Sequence, residues 1–211
     1  MSSLLYLPVS IGEAIDKLTI LDIKLNKIKD DRKNDVQHEY NLLYDKLKEI
    51  VIKYNDLYET MKKVNLLIWD MMDILRDGNV NEIEYLKTCK ECIDFNDIRF
   101  RVKNKINFVS NSSLKEQKSY KIIRLGIIIN KQNIYDDTLL NIIKYFSFIY
   151  DEINIISDYD IDYLKKYFNY DITILFNNTL TEYKSKVIIE GEDTDLYKLF
   201  NITEKEIKII L

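Results

Sequence analysis

A chain of 211 residues holds one large domain or two small ones, and a hydrophobic fraction of 46% supplies a core large enough to exclude global disorder. One Pro and four Gly fit long elements with short connections, and heavy use of Ile, Lys, Asn and Tyr reads as the mark of an AT-rich genome. The net charge of −4 is uneven: residues 99–124 carry eight basic side chains against one acidic, between two acidic regions, which suits either the holding of an anion or a solvated helix face.

The acidic flanks outweigh that band, so no nucleic-acid partner is expected. Residues 1–9 lack the basic start of a signal peptide, and no stretch reaches the roughly 18 apolar residues of a membrane span. Two Cys without a secretory signal point to a reducing, cytoplasmic setting. The three glycosylation sequons, at Asn111, Asn177 and Asn201, then read as chance.

In chain order, Ser10 and Glu13 have the spacing of a capping box, and Pro8 favours an extended lead-in. The helix they open runs to about Ile28 along a seam of Ile11, Ala14, Leu18, Leu21, Leu25 and Ile28. Ile15, Ile20 and Ile23 lie off that seam, so more than one face should pack. After a charged turn at 29–35, apolar residues from Val36 to Leu75 alternate steps of four and three, the a/d pattern of helices packed lengthwise. Asp56 and Glu59 could cap a new helix after a break at Asn55 and Asp56, but the seam stays in phase through them, so one continuous or mildly kinked helix of about 60 Å is expected, ending near Gly78. A third helix, from about Glu82 to Val109, carries the stripe Phe95, Ile98, Val102, Ile106 and Val109 and stops at Asn111.

The pattern then changes. Residues 121–129 (KIIRLGIII), 152–157 (EINIIS), 171–176 (DITILF) and 186–190 (KVIIE) read as strands, with helices at 134–150 and 161–168 between them. The final EIKIIL suits helix or strand. The expected fold is a two-part α+β chain: an N-terminal antiparallel long-helix bundle or coiled coil over 1–113, a connector at 114–120, and a small Rossmann-like α/β domain over 121–211 with a mainly parallel sheet. Any ligand of that domain is expected beyond the strand carboxyl ends, near residues 130–133, 157–160 or 177–179.

Catalytic signatures are sparse. Cys89 and Cys92 form a lone C-x-x-C inside a predicted helix, where core packing is the simpler role, and His38 is the one histidine. No metal site is therefore expected, and no catalytic residue is assigned. No G-x-G-x-x-G or P-loop follows a strand, so no cofactor is expected. One polar constellation has more content. Asn65, Trp69, Asp73 and Arg76 share a flank of the long helix, and Asn96, Arg99 and Lys103 share a flank of the third. Antiparallel packing would set the two flanks face to face, with Arg76 and Arg99 both substantially buried. The result is either a ligand site, with Arg donors for phosphate or carboxylate and an indole for stacking, or an Asp–Arg network stapling two helices. Lys17 and Lys24, with Glu13, line one side of the first helix as further ligand candidates or as surface lysines.

Residues 9–28 (VSIGEAIDKLTILDIKLNKI), 64–77 (VNLLIWDMMDILRD), 95–107 (FNDIRFRVKNKIN) and 115–120 (KEQKSY) together resemble an uncharacterised family of helical domains, over about residues 8–120. Members of that family are often encoded beside, or fused to, glycosyltransferases and other glycan-assembly enzymes. The polar positions matching its signature are Glu13, Asp16, Lys17, Lys24, Asn65, Trp69, Asp73, Arg76, Asn96, Arg99, Lys103, Glu116, Lys118 and Tyr120. The resemblance supplies no catalytic assignment. It implies an accessory protein of glycan or nucleotide-sugar metabolism that binds an anionic sugar ligand or a glycosyltransferase partner, with a glycosyltransferase fragment as its enzymatic form. The alternative is a helical interaction module that homodimerises through its seams and takes no small ligand.

Overall fold

The first helix leaves few positions for solvent, and in the computed structural model it lies against three other helices. The structure describes residues 5–119, 121–130, 137–169, 171–176, 183–190 and 195–211, in two units, Met1–Gln117 and Lys118–Leu211. Helix α1 (Ile11–Lys27) packs against α2 (Arg32–Lys53), α3 (Asn55–Asp77) and α4 (Glu82–Val109). It does so with two stripes. Leu18 and Leu21 of the expected seam are buried; so is a second row at heptad spacing, Gly12, Asp16, Thr19 and Ile23. The short turn before α2 makes α1 and α2 antiparallel, and Lys17 of α1 meets Glu39 of α2 at 2.6 Å.

The expected continuous helix over residues 32–77 is corrected. Tyr54, at φ −122° and ψ 44°, leaves the helical region, and α3 begins one residue later. A straight helix would hold Tyr40 and Tyr58 about 27 Å apart at 1.5 Å per residue. Instead the Tyr40 and Tyr58 hydroxyls are hydrogen-bonded to each other beside the Asp22 carboxylate of α1, so the chain bends sharply at Tyr54. The Tyr54 hydroxyl donates to the Val109 carbonyl at 2.6 Å, which fixes the bend against the end of α4. The seam itself survives the bend: every one of its apolar residues from Val36 to Leu75 is buried or half-buried. Gly78, at φ 65°, ends α3 in the left-handed conformation that glycine adopts without a Cβ clash.

The capping box expected at the start of α1 forms only in half. The Ser10 hydroxyl accepts the Glu13 amide at 3.1 Å, but the Glu13 carboxylate turns to Lys103 of α4. A complete box forms at the other end of the chain. Thr203 and Glu206 cap each other reciprocally at the start of α8 (Glu204–Ile210), so the last ten residues form a helix over 204–210 and not a strand.

The second unit is a four-stranded sheet with all strands parallel, in the order β3 (Ile174–Phe176), β2 (Glu152–Ser157), β1 (Arg124–Ile129), β4 (Ser185–Ile189). Leu125, Ile127 and Ile129 of β1 are 2% exposed or less. Helix α5 (Asp137–Phe146), between β1 and β2 in the chain, has Leu139, Ile142 and Ile143 fully buried. Helix α6 (Asp162–Tyr167) joins β2 to β3, while α7 (Leu196–Leu199) and α8 pack beside α5, with the Phe146 and Phe200 rings 5.3 Å apart. Strand β3 is shorter than expected because Asp171 accepts the Thr173 amide at 3.0 Å, a turn that consumes the first half of the run. Residues 134–136, expected to begin α5, lie outside those described.

Gly12 marks a close approach of α1 to α4. A Cβ there would meet the Lys103 carbonyl at 2.5 Å and the Asn107 Oδ1 at 2.9 Å. Gly12→Ala is therefore expected to force α1 from α4 and to cost about 1–3 kcal/mol, read as a lowered urea midpoint. A midpoint equal to that of the unaltered protein would show that the helices do not touch there.

Candidate functional site

The second stripe of α1 places a carboxylate where the packing leaves it 1% exposed: Asp16. A charge so buried needs partners on every lone pair. Arg99 of α4 donates to it twice, Nε to Oδ1 at 2.8 Å and Nη2 to Oδ2 at 2.5 Å. Asn65 of α3 donates to Oδ1 at 2.8 Å and to the Thr19 hydroxyl at 2.8 Å, and that hydroxyl donates to the Asp16 carbonyl. One carboxylate thus joins α1, α3 and α4. The paired hydrogen bonds to Asp16 raise the Arg99 pKa against the opposing effect of burial, so the guanidinium stays charged.

A turn further along α4, Lys103 meets the Glu13 carboxylate at 3.0 Å and pairs also with Glu116 in the segment after the helix. Burial pulls the Lys103 pKa down, but the bonds to Glu116 and Glu13 outweigh it and the net shift is upward. Beside this cluster the end of α4 caps the start of α1. Helix α4 closes in a Schellman turn: Asn111, at φ 52°, donates to the Phe108 carbonyl, and Ser112 to that of Asn107. This turn delivers the Ser112 hydroxyl to the Ile11 amide at 3.1 Å, while Asn107 Oδ1 accepts the Gly12 amide at 2.7 Å. The first free N–H groups of α1 are satisfied by these side chains.

A second carboxylate on α1, Asp22, accepts from the Tyr58 hydroxyl at 3.1 Å and pairs with Lys62 at 2.6 Å. Burial, then the Asp22 charge, push the Tyr58 phenol well above its ordinary 10.0.

The structure thus brings together three of the nine sequence-expected candidates, Asn65, Arg99 and Lys103, through the acidic residues of α1. Trp69 is half-buried one turn beyond Asn65. Asp73, Arg76 and Asn96 are exposed. The expected burial of Arg76 is corrected: it sits in the last turn of α3, where the chain is leaving for α4, and meets Asp73 at 3.7 Å with both side chains largely in solvent. Lys17 is exposed in its pair with Glu39, and Lys24 is half-buried. Periodicity missed Gly12, Thr19, Asn107 and Ser112, and Asp16 came from the resemblance alone. The signal was there: polar residues in a row at heptad spacing with Ile23 mark a face that must pack. Cys89 and Cys92 are free and half-buried on α4, and His38 is exposed.

In the second unit, the Asn130 amide donates to Glu190 at 3.0 Å across the carboxyl ends of β1 and β4. Of the expected ligand loops, residues 131–133 and 177–179 lie outside the described residues. Among the described residues no helix is long and apolar enough to cross a membrane.

The fold and the cluster define a class: a four-helix unit closed by a buried carboxylate–arginine pair, followed by a small parallel α/β unit. The family described as "Family of unknown function (DUF6165)" matches residues 5–129, more than half the chain, and the chain belongs to it. The match takes in the helices, the segment carrying Glu116 and the first strand. No curated protein and no solved structure matches the chain.

Two measurements probe the cluster. Arg99→Ala leaves Asp16 buried without its counter-charge and is expected to cost about 3–5 kcal/mol in urea unfolding, whereas Arg76→Ala should stay within about 0.5 kcal/mol. Similar losses for both would show that the buried pair has no special weight. The pH dependence has a definite sign. Tyr58 and Lys103 have folded pKa values raised above their ordinary 10.0 and 10.5. Their contribution is present in full below those values and is lost as pH rises beyond them. Stability should accordingly hold up to about pH 10 and fall above it, with a shallower fall in Tyr58→Phe.

Proposed function

We propose that this protein is a cytoplasmic, non-catalytic accessory protein of glycan or nucleotide-sugar metabolism, and that its helical unit engages a glycosyltransferase partner. The metabolic setting rests on the resemblance of the four helical segments. The choice of a protein partner over a free anionic sugar rests on one observation: each cation of the cluster is already answered, Arg99 by Asp16, and Lys103 by Glu13 and Glu116. A phosphate taking Arg99 would leave Asp16 buried and unpaired, at a cost of several kcal/mol. A binder of free anions keeps its donors open; this cluster spends its donors on organising three helices.

A second reading has its own observation. Ile83, Leu86 and Ile93, at helical spacing on α4, are 82%, 61% and 65% exposed, a row that suits self-association of the helical unit. Co-expression with a candidate glycosyltransferase, followed by sedimentation, separates the readings. The expected result is a complex of the two chains, with Trp69 emission unmoved by millimolar nucleotide-sugars. A saturable Trp69 response at micromolar nucleotide-sugar would overturn the choice in favour of a small ligand. A homodimer that excludes the transferase and dissociates in Ile83→Lys would favour self-association.

A further inference from the structure

We propose that Glu116 is an exchangeable plug: its carboxylate occupies, on Lys103, the place of an external acidic group, carboxylate or phosphate. The idea builds on the reading of the helical unit as a partner-binding module, because it supplies the atom by which a partner's acidic group is held.

The ion pairs differ in what they leave behind on opening. Asp16 is 1% exposed, and without Arg99 it would be a lone buried charge. Glu116 is different. Its side chain is 38% exposed, so its carboxylate can enter water when it leaves. Lys103, only 11% exposed, then keeps the Glu13 carboxylate at 3.0 Å and is never left without a counter-charge. The α1 caps from Ser10 and Asn107 also persist, since neither involves the departing segment. That segment begins at the left-handed Asn111, and Ser112 ties it down by accepting from the Ile11 amide and donating to the Leu114 carbonyl. Glu116 fastens it to α4 two residues beyond Leu114.

Charge gives the exchange its direction. With Glu116 in place, two carboxylates share one ammonium, a local excess of one negative charge. With Glu116 away, Glu13 and Lys103 balance, and an ammonium with three donors has at least one turned to whatever replaces the plug. The replacement must be acidic to recover the lost pair. A tethered carboxylate competes at an effective concentration in the millimolar range, so the intact strap keeps dilute anions out, and an acidic group held by further contacts displaces it.

The test uses the full chain and inorganic phosphate as probe, with no partner present, so its outcome is independent of whether a transferase binds. Glu116→Ala is expected to raise hydrogen exchange at the Ile11 amide about tenfold while the Gly12 amide, capped by Asn107, is unchanged. Phosphate in the tens of millimolar should raise the melting temperature of Glu116→Ala by a few degrees beyond chloride at equal ionic strength, and leave the unaltered protein unmoved. Adding Lys103→Met should abolish that response. Ile11 and Gly12 opening together, or neither opening, would show that Glu116 is not a separable plug. Phosphate acting no differently from chloride, or acting without Lys103, would overturn the acidic-group site.

Discussion

A carboxylate almost wholly removed from water must be answered from every side, and Asp16 is answered by two helices at once. That demand sets the register of the helical unit. Apolar seams tolerate sliding, because one Leu packs much like the next. The Asp16 pair does not: a slip of one turn, about 5.4 Å, would carry Arg99 and Asn65 out of hydrogen-bond range and strand a charge. Of the two ways the sequence could be read, ligand site or staple, the geometry at Asp16 has the attributes of a staple, with the carboxylate supplied by α1 and its donors by α3 and α4.

The register so fixed has consequences at both helix ends. With Arg99 on Asp16, Asn107 falls opposite Gly12, two turns further along α4 and one turn back along α1. Only a residue without a Cβ allows the backbones that close. The approach then pays back in capping: the side chains of Asn107 and Ser112 take N–H groups that open α1, and the Ser112 amide takes a carbonyl that closes α4. The positive end of one helix dipole lies beside the negative end of the other, which favours the antiparallel pairing that the ion pair requires. Charge, sterics and capping agree on one arrangement, as expected of a sequence that specifies a single packing.

Much of this was legible in the sequence, and what was not had physical reasons. The third helix and the strand at 152–157 fell where periodicity put them, since an apolar stripe reports packing directly. The bend at Tyr54 lies beside the place where Asp56 and Glu59 offered a cap, but one residue leaving the helical region does not disturb a count of apolar positions, so the seam favoured continuity; the Tyr54 backbone and the contact of Tyr58 with Tyr40 and Asp22 decide it. Two capping boxes had the same spacing and different fates. Glu206 returns to the Thr203 amide, whereas Lys103 draws Glu13 away from Ser10. Spacing gives the opportunity for a cap; the charges that fold in around it decide whether it is used. Arg76 failed on the same ground, since a flank shared with Asn65 says nothing of where the partner helix ends.

The two acidic residues of α1 show how exposure selects the answering residue. Asp16, at 1% exposure, faces a guanidinium, which fills two lone pairs in one plane and does not lose its proton at any pH the protein meets. Asp22, at 21%, faces a lysine and a phenol, point donors that leave part of the carboxylate to water. The difference follows from what each site must replace. Water can supply the missing bonds of Asp22, so a flexible lysine suffices; nothing but protein can supply those of Asp16. Lysine in place of Arg99 would keep the charge and lose the fork, leaving one oxygen of a buried carboxylate short of a donor. The arginine is thus required by the burial of its partner, and that burial follows from placing α1 against three other helices.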